Sequence, residues 1–195
     1  MILDEFVIPQ KPRRPRADSV RNRQRVLEAA KAIFAAGGPD ASLEAVAREA
    51  SVGIGTLYRH FPTRHDLFEA VYRQEVEQLV SLASQLEADP SPLQALRTWL
   101  HAQVEFVATK KGMSTALAVA VSASSELTRH SVDQLGRALE RLLQRAIDAG
   151  EIRSDINAED VLRAIVGLCY THESAGWQSR VIRLVDVFLD GMRRT

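Results

Sequence analysis

A single cysteine among 195 residues excludes an internal disulfide framework and any zinc motif built from several cysteines. Long apolar runs are also lacking. The longest, Ala116 to Val121 with Ser122 and Ala123 behind it, is far short of the roughly 20 residues that a membrane-spanning helix needs. The opening residues Met1-Ile2-Leu3-Asp4-Glu5 carry acids where a secretory leader carries bases. Strand-type alternation, internal repeats, low-complexity tracts, a Gly-rich phosphate loop, paired catalytic carboxylates and a His-Glu-x-x-His pair are missing as well. These absences leave a cytoplasmic protein with no membrane partner, no enzymatic role, no cofactor and no metal centre as the expectation. The length allows one large domain or two small ones.

Charge of one sign is not in excess either, since 25 Lys and Arg stand against 25 Asp and Glu. The distribution is uneven. Residues 11–25 hold seven bases against Asp18 alone, a net of +6, whereas residues 76–195 hold 13 bases and 15 acids, a net of −2. A basic leading segment on a mildly acidic body is the asymmetry to explain. Taken by itself, the stretch from Lys11 to Arg16, broken by Pro12 and Pro15, also fits a solvated tail with no partner.

What is present is helix-forming residues nearly throughout, and the pattern predicts an all-α chain of about nine helices. A first helix from Asp18 or Ser19 carries an apolar stripe of Val26, Ala29, Ala30, Ile33 and Phe34 and stops at Gly37-Gly38-Pro39. Ser42 is placed to cap a short helix with Leu43, Val46, Ala47 and Ala50 on one face. A second short helix runs from Ile54 to Phe61. Thr63-Arg64-His65-Asp66 then has the form of a capping box for a long fourth helix ending before Asp89-Pro90. Beyond it, Ser91-Pro92 opens a helix to about Thr109, 112–123 is ambiguous, and 125–149 is amphipathic through Leu135, Leu139, Leu142 and Ala146. Asn157 and Asp160 cap an apolar helix, and a last one spans about 178–193.

Two helices of seven or eight residues joined by three cannot bury much alone. They form either a plain helical hairpin or a helix-turn-helix that sets its second helix in a DNA major groove. Composition favours the second. Leu57 and Phe61 can face a core, which leaves Thr56, Tyr58, Arg59 and His60 with hydrogen-bonding groups outward. Gly53 and Gly55 weaken the helix start but let a partner approach the backbone closely.

The strings Ser42-Leu-Glu-Ala-Val-Ala-Arg-Glu-Ala50 and Gly53-Ile-Gly-Thr-Leu-Tyr-Arg-His-Phe-Pro62-Thr-Arg64, with Leu67 after them, closely resemble the DNA-binding domain of the tetracycline-repressor (TetR) family. Arg23 to Ala30 and Phe34 resemble its first helix, so the likeness covers residues 19–72. It implies a basic arm over 1–17, a helix-turn-helix domain over 18–65, and an effector-binding and dimerisation domain over 66–195. It also implies that Thr56, Tyr58, His60 and Arg64 contact phosphates or groove edges and that Gly53, Ile54, Gly55 and Arg59 read bases. Ser42 and Arg23 or Arg25 would hold the DNA backbone. Arg59 is the one forked donor on the second short helix and suits guanine. In this setting Lys11, Arg13, Arg14 and Arg16 become candidates for a minor-groove arm. One departure stands out: the family commonly has Gly where Ser51 opens the turn, a position suited to a left-handed backbone.

The resemblance further implies a homodimer and a small-molecule effector. A twofold dimer addresses two half-sites roughly 34 Å apart, more sequence than one helix-turn-helix can read. Apolar residues on more than one face of the last two helices put Val161, Ile165, Ile182, Val185 and Leu189 at the expected interface; a fully buried monomer core is the other reading. Candidate effector contacts are Trp99, Phe106, Met113, Leu117, Leu139, Leu143, Tyr170, His172 and Trp177, with His101 and Ser122 as further polar choices. No charge cluster indicates an ionic effector, and a moderately hydrophobic compound is expected. Cys169 and His172, one turn apart, allow a metal- or redox-sensing regulator as an alternative, although a cysteine more often packs as a small hydrophobe. An all-α ligand-binding or catalytic protein that no longer reads DNA is the remaining alternative.

Overall fold

Eight α-helices make up the computed structural model, which describes the backbone of residues 15–37, 42–121, 125–171 and 176–194, with side chains at all of these except 15–16, 36–37, 112–121 and 125–128. In chain order they are α1 Pro15–Gly37, α2 Leu43–Glu49, α3 Ile54–His60, α4 Arg64–Leu86, α5 Pro92–Val121, α6 Ser125–Asp148, α7 Ala158–Tyr170 and α8 Trp177–Met192. Among the described residues no β-strand forms, and a lone antiparallel bridge joins Ile152 to Arg193. No described helix is long and apolar enough to cross a membrane.

The helix ends are set by local chemistry. Pro15 occupies the first position of α1, three residues ahead of the expected start; its missing N–H is no loss there. Ser42 accepts from Ala45 N at 3.1 Å. Thr63 and Asp66 form the predicted capping box, and those bonds hold the Asp66 carboxyl below the usual carboxylate range. Asn157 Oδ1 accepts from Asp160 N at 2.8 Å. At α5 the cap comes from far away, with Leu93 N donating to Glu151 Oε2 at 2.8 Å.

The expected break near residue 110 does not occur, and α5 is one 30-residue helix. This is why the described count is eight. A single glycine inside a helix costs only about 1 kcal/mol relative to alanine. The burial of Val104, Phe106, Val107 and Ala108 along the same helix outweighs it.

α1, α2 and α3 close around Val26, Ala30, Phe34, Val46, Leu57 and Phe61, all at most 2% exposed. α4 joins this core through Phe68, whose ring meets Phe34 edge-on at 4.5 Å. One turn further along, Tyr72 belongs to the packing of α4 against α5 and α6, meeting Phe106 at 5.6 Å. The far end of α4 is fastened by Arg145, which donates to Leu86 O at 3.0 Å and Asp89 O at 2.8 Å. Near its middle, the buried Glu75 takes an ion pair from Lys31 of α1 at 2.8 Å.

α7 and α8 complete the body. Val161, Ile165, Val185 and Leu189, expected at a subunit interface, are instead fully buried within the chain. Two apolar stripes share α8, and the sequence does not say which turns inward. The outward one carries Leu184 and Val187, 41% and 68% exposed, with Ile182 and Phe188 half-buried beside it. On α7 the outward face is Arg163, Gly167 and Tyr170, so this helix is not enclosed all round.

Candidate nucleic-acid interface

The turn between α2 and α3 is a Schellman motif. Ser51 N bonds Arg48 O at 3.0 Å and Val52 N bonds Ala47 O at 2.9 Å, with Ser51 in the left-handed region at φ 52°. Ser51 is the one described non-glycine residue there. Arg25, on α1, donates from its guanidinium to Ser51 O at 2.7 Å and so fastens the strained turn to the first helix. Sequence reasoning placed Arg25 on DNA and missed this bond, which joins residues 26 positions apart.

Gly53 precedes α3 in extended conformation, and its carbonyl accepts from Thr56 N at 2.8 Å. Leu57, fully buried, anchors the helix. Its opposite face is open: Ile54 and Tyr58 are 39% and 45% exposed, and Arg59, Gly53 and Gly55 are exposed alongside them. Thr56 and His60 are half-buried at the margins. A Cβ added at Gly53 or Gly55 would meet nothing within 4 Å, so no internal crowding demands glycine at either position. Both instead lower the profile of the surface that α3 presents outward.

The remaining expected contacts surround this face. Ser42 is exposed at the start of α2. Arg23, exposed on α1, holds its guanidinium 5.3 Å from the Phe61 ring centre. Arg64 is half-buried and lies over Phe68 at 5.0 Å, bracing the foot of α4 against the core. Lys11, Arg13 and Arg14 lie outside the described residues, as does the side chain of Arg16.

In the body, Trp99, Phe106, Leu139 and Leu143 are buried where α4, α5 and α6 meet, and Trp99 Nε1 donates to Leu79 O at 2.9 Å. Trp177 is nearly buried and Tyr170 is exposed; both flank the Lys111 ammonium, at 4.3 and 5.6 Å. Lys111 also donates to Cys169 O at 2.9 Å. His101 faces α8, with Nε2 2.9 Å from Asp186 Oδ1, and Arg97 reaches the same carboxylate at 2.6 Å. The Met113 and Leu117 side chains, Ser122 and His172 lie outside the described residues. A groove of about 490 Å³ between α1 and α4 is lined mainly by polar residues including Gln24, Glu69, Arg73 and Glu77, and borders none of the expected effector contacts.

Cys169 is fully buried and its thiol is pushed up to about 11, chiefly by burial, so it stays protonated at neutral pH. That is the opposite of what a redox sensor requires. Among the described residues no three His, Cys, Asp or Glu side chains gather as a metal site.

Comparison with known proteins agrees with this arrangement. Residues 26–71 match the family described as bacterial regulatory proteins, tetR family. Residues 91–194 match the C-terminal domain of SbtR-like transcriptional regulators. The transcriptional repressor KstR of Rhodococcus jostii is 29% identical over 134 residues, which are 68% of this chain and 63% of that protein. The chain therefore spans under two-thirds of this curated relative. Among solved structures, a TetR transcriptional regulator from Streptomyces coelicolor is 41% identical, with a TM-score of 0.79 over 89% of this chain and 99% of that one. A TetR regulatory protein from Mycobacterium vanbaalenii is 35% identical, with a TM-score of 0.71 over 92% and 99%. With an exposed short helix α3 at one end, an all-α body behind it and likeness along both, the chain belongs to the TetR family of transcriptional regulators.

Proposed function

We propose that this protein is a homodimeric repressor that binds an operator through α3 and releases it when a small molecule occupies the helical body. The observation that carries the reading is the outer face of α3. It presents the apolar Ile54 between two glycines, followed by the phenol of Tyr58 and the guanidinium of Arg59, all left exposed by the described residues. Ile54 suits a thymine methyl and Arg59 the O6 and N7 of guanine. Tyr58, Thr56, His60 and Ser42 suit phosphates, which fix register without reading sequence. Arg23 is close enough to join them, and Arg64 contributes at the margin. Arg25 supports the reader by holding its turn.

In this reading residues 1–17 act as a basic arm, 18–65 as the reader and 66–195 as the effector and dimer domain. The dimer forms through the outward faces of α7 and α8. KstR, named a repressor, supports the sign of regulation.

Gel-shift titration against duplexes from the region around its own gene tests the reading. Binding no better than to random duplex at moderate salt would refute it. Tyr58→Phe is expected to weaken binding to every duplex alike. Arg59→Ala should relax preference at one position, by about 1–3 kcal/mol. A uniform loss from Arg59→Ala would remove it from base reading.

A further inference from the structure

The body holds buried and half-buried polar groups that the packing of the described residues leaves unanswered. Gln103, Phe106 and Lys110 occupy one face of α5 at successive turns. Gln103 is 1% exposed, and its Oε1 has no hydrogen-bond partner. Lys110 is half-buried, and no carboxylate among the described residues pairs with it; its ammonium lies 5.9 Å from the Tyr72 ring centre. Burial pushes the Lys110 pKa down. Tyr72, 2% exposed, meets the Phe106 ring at a tilt of 44° and shares a hydrogen bond with the buried Ser131 of α6. Three helices thus bring a cation, a free amide oxygen and two hydroxyls around an aromatic wall.

A buried donor or acceptor without a partner is destabilising, and an enclosed charge without a counter-ion more so. Folding alone gives no reason to keep Lys110 and Gln103, since methionine and leucine would fill the same positions without that cost. A bound molecule gives one. We infer that the effector is an amphipathic monocarboxylate, its acid group paired with Lys110 and the Tyr72–Ser131 hydroxyls and its apolar body along Phe106. A hydrogen-bond donor on the molecule, or a water it orders, would meet Gln103 Oε1. This deepens the proposed function and rests on its effector site. It adds an acid group to the moderately hydrophobic compound that the sequence suggested, because the cation becomes visible only when α4, α5 and α6 meet.

Titration of the DNA-free protein with decanoate and with decanol, followed by fluorescence of its two tryptophans and by calorimetry, tests the inference. Decanoate is expected to bind at least tenfold more tightly than decanol, and Lys110→Met to erase that preference. In the ligand-free state Lys110→Met should melt at a higher temperature than the native chain, since a half-buried charge without a counter-ion is gone; a lower melting temperature would mean that Lys110 serves the fold. Lys110→Arg should keep the preference and controls for altered packing. Equal affinity for acid and alcohol, no binding of decanoate, or a preference that survives Lys110→Met would each overturn the inference. Because no DNA is present, failure of the reader to bind any duplex would leave this result readable. Conversely, intact operator binding by Lys110→Met would separate loss of the effector from loss of the reader.

Discussion

Ser51 shows how much one residue can decide. The same Schellman geometry closes α6, where Gly150 takes φ 72° and its N–H bonds Ile147 O at 2.9 Å. At the α2–α3 turn the chain puts a side chain into that backbone, at a cost of roughly 1 kcal/mol. The Ser51→Gly substitution should therefore stabilise the protein, by up to about 1 kcal/mol after the added freedom of the unfolded chain is subtracted. A higher urea midpoint at unchanged slope is the expected reading. Capping residues such as Ser42, Thr63 and Asn157 were legible because their partners lie three positions away. Arg25 was not, because its acceptor is a carbonyl exposed only by the left-handed turn.

Among elements, α8 separates what periodicity can say from what it cannot. Its apolar residues were evident, but two stripes of similar character compete for the core. Val181, Val185 and Leu189 win, leaving Leu184 and Val187 outside with Gly191 one turn on. Exposed aliphatic groups in a row, beside the open Tyr170 and Gly167 of α7, form the kind of surface a second subunit covers. Val187→Asp is expected to convert the proposed dimer to monomer in sedimentation velocity while leaving far-UV circular dichroism unchanged, because Val187, 68% exposed, contributes little to the chain's own core. A dimer that persists would move the interface elsewhere. The unbroken α5 illustrates the converse limit: Lys110-Lys111-Gly112 resembles a stop, yet the burial on either side of a helix is a property of its neighbours and not of its own sequence.

At the scale of the whole molecule, overall neutrality hides a division of labour. The +6 of residues 11–25 leads into the helix-turn-helix and is offset by −6 over the remainder, of which residues 76–195 carry −2. If the arm lies on DNA, removing residues 1–14 takes away Lys11, Arg13 and Arg14 and should flatten the dependence of log affinity on log salt by up to roughly 3 per subunit. An unchanged slope would return the arm to solvent. The helical class and the pair of short helices α2 and α3 were largely legible in sequence, since both rest on short-range spacing. The polar group around Lys110 was not, because its members come from three helices that only the packed molecule brings together.

α4 carries a mechanical consequence. It is a 23-residue rod held at one end by Arg145 and set at the other among the reader's aromatic rings, with Tyr72 facing the body one turn from Phe68. A straight helix of that length is about 34 Å, so a tilt of about 6° pivoting at the fastened end sweeps the other through about 3.5 Å. That matches the spacing of roughly 3.4 Å between successive nucleotides along one strand. Tyr72 lies about 21 Å from the fastened end, so the same tilt moves its ring by about 2.2 Å, and the lever enlarges that movement about 1.6-fold into a full step of misregister on an operator.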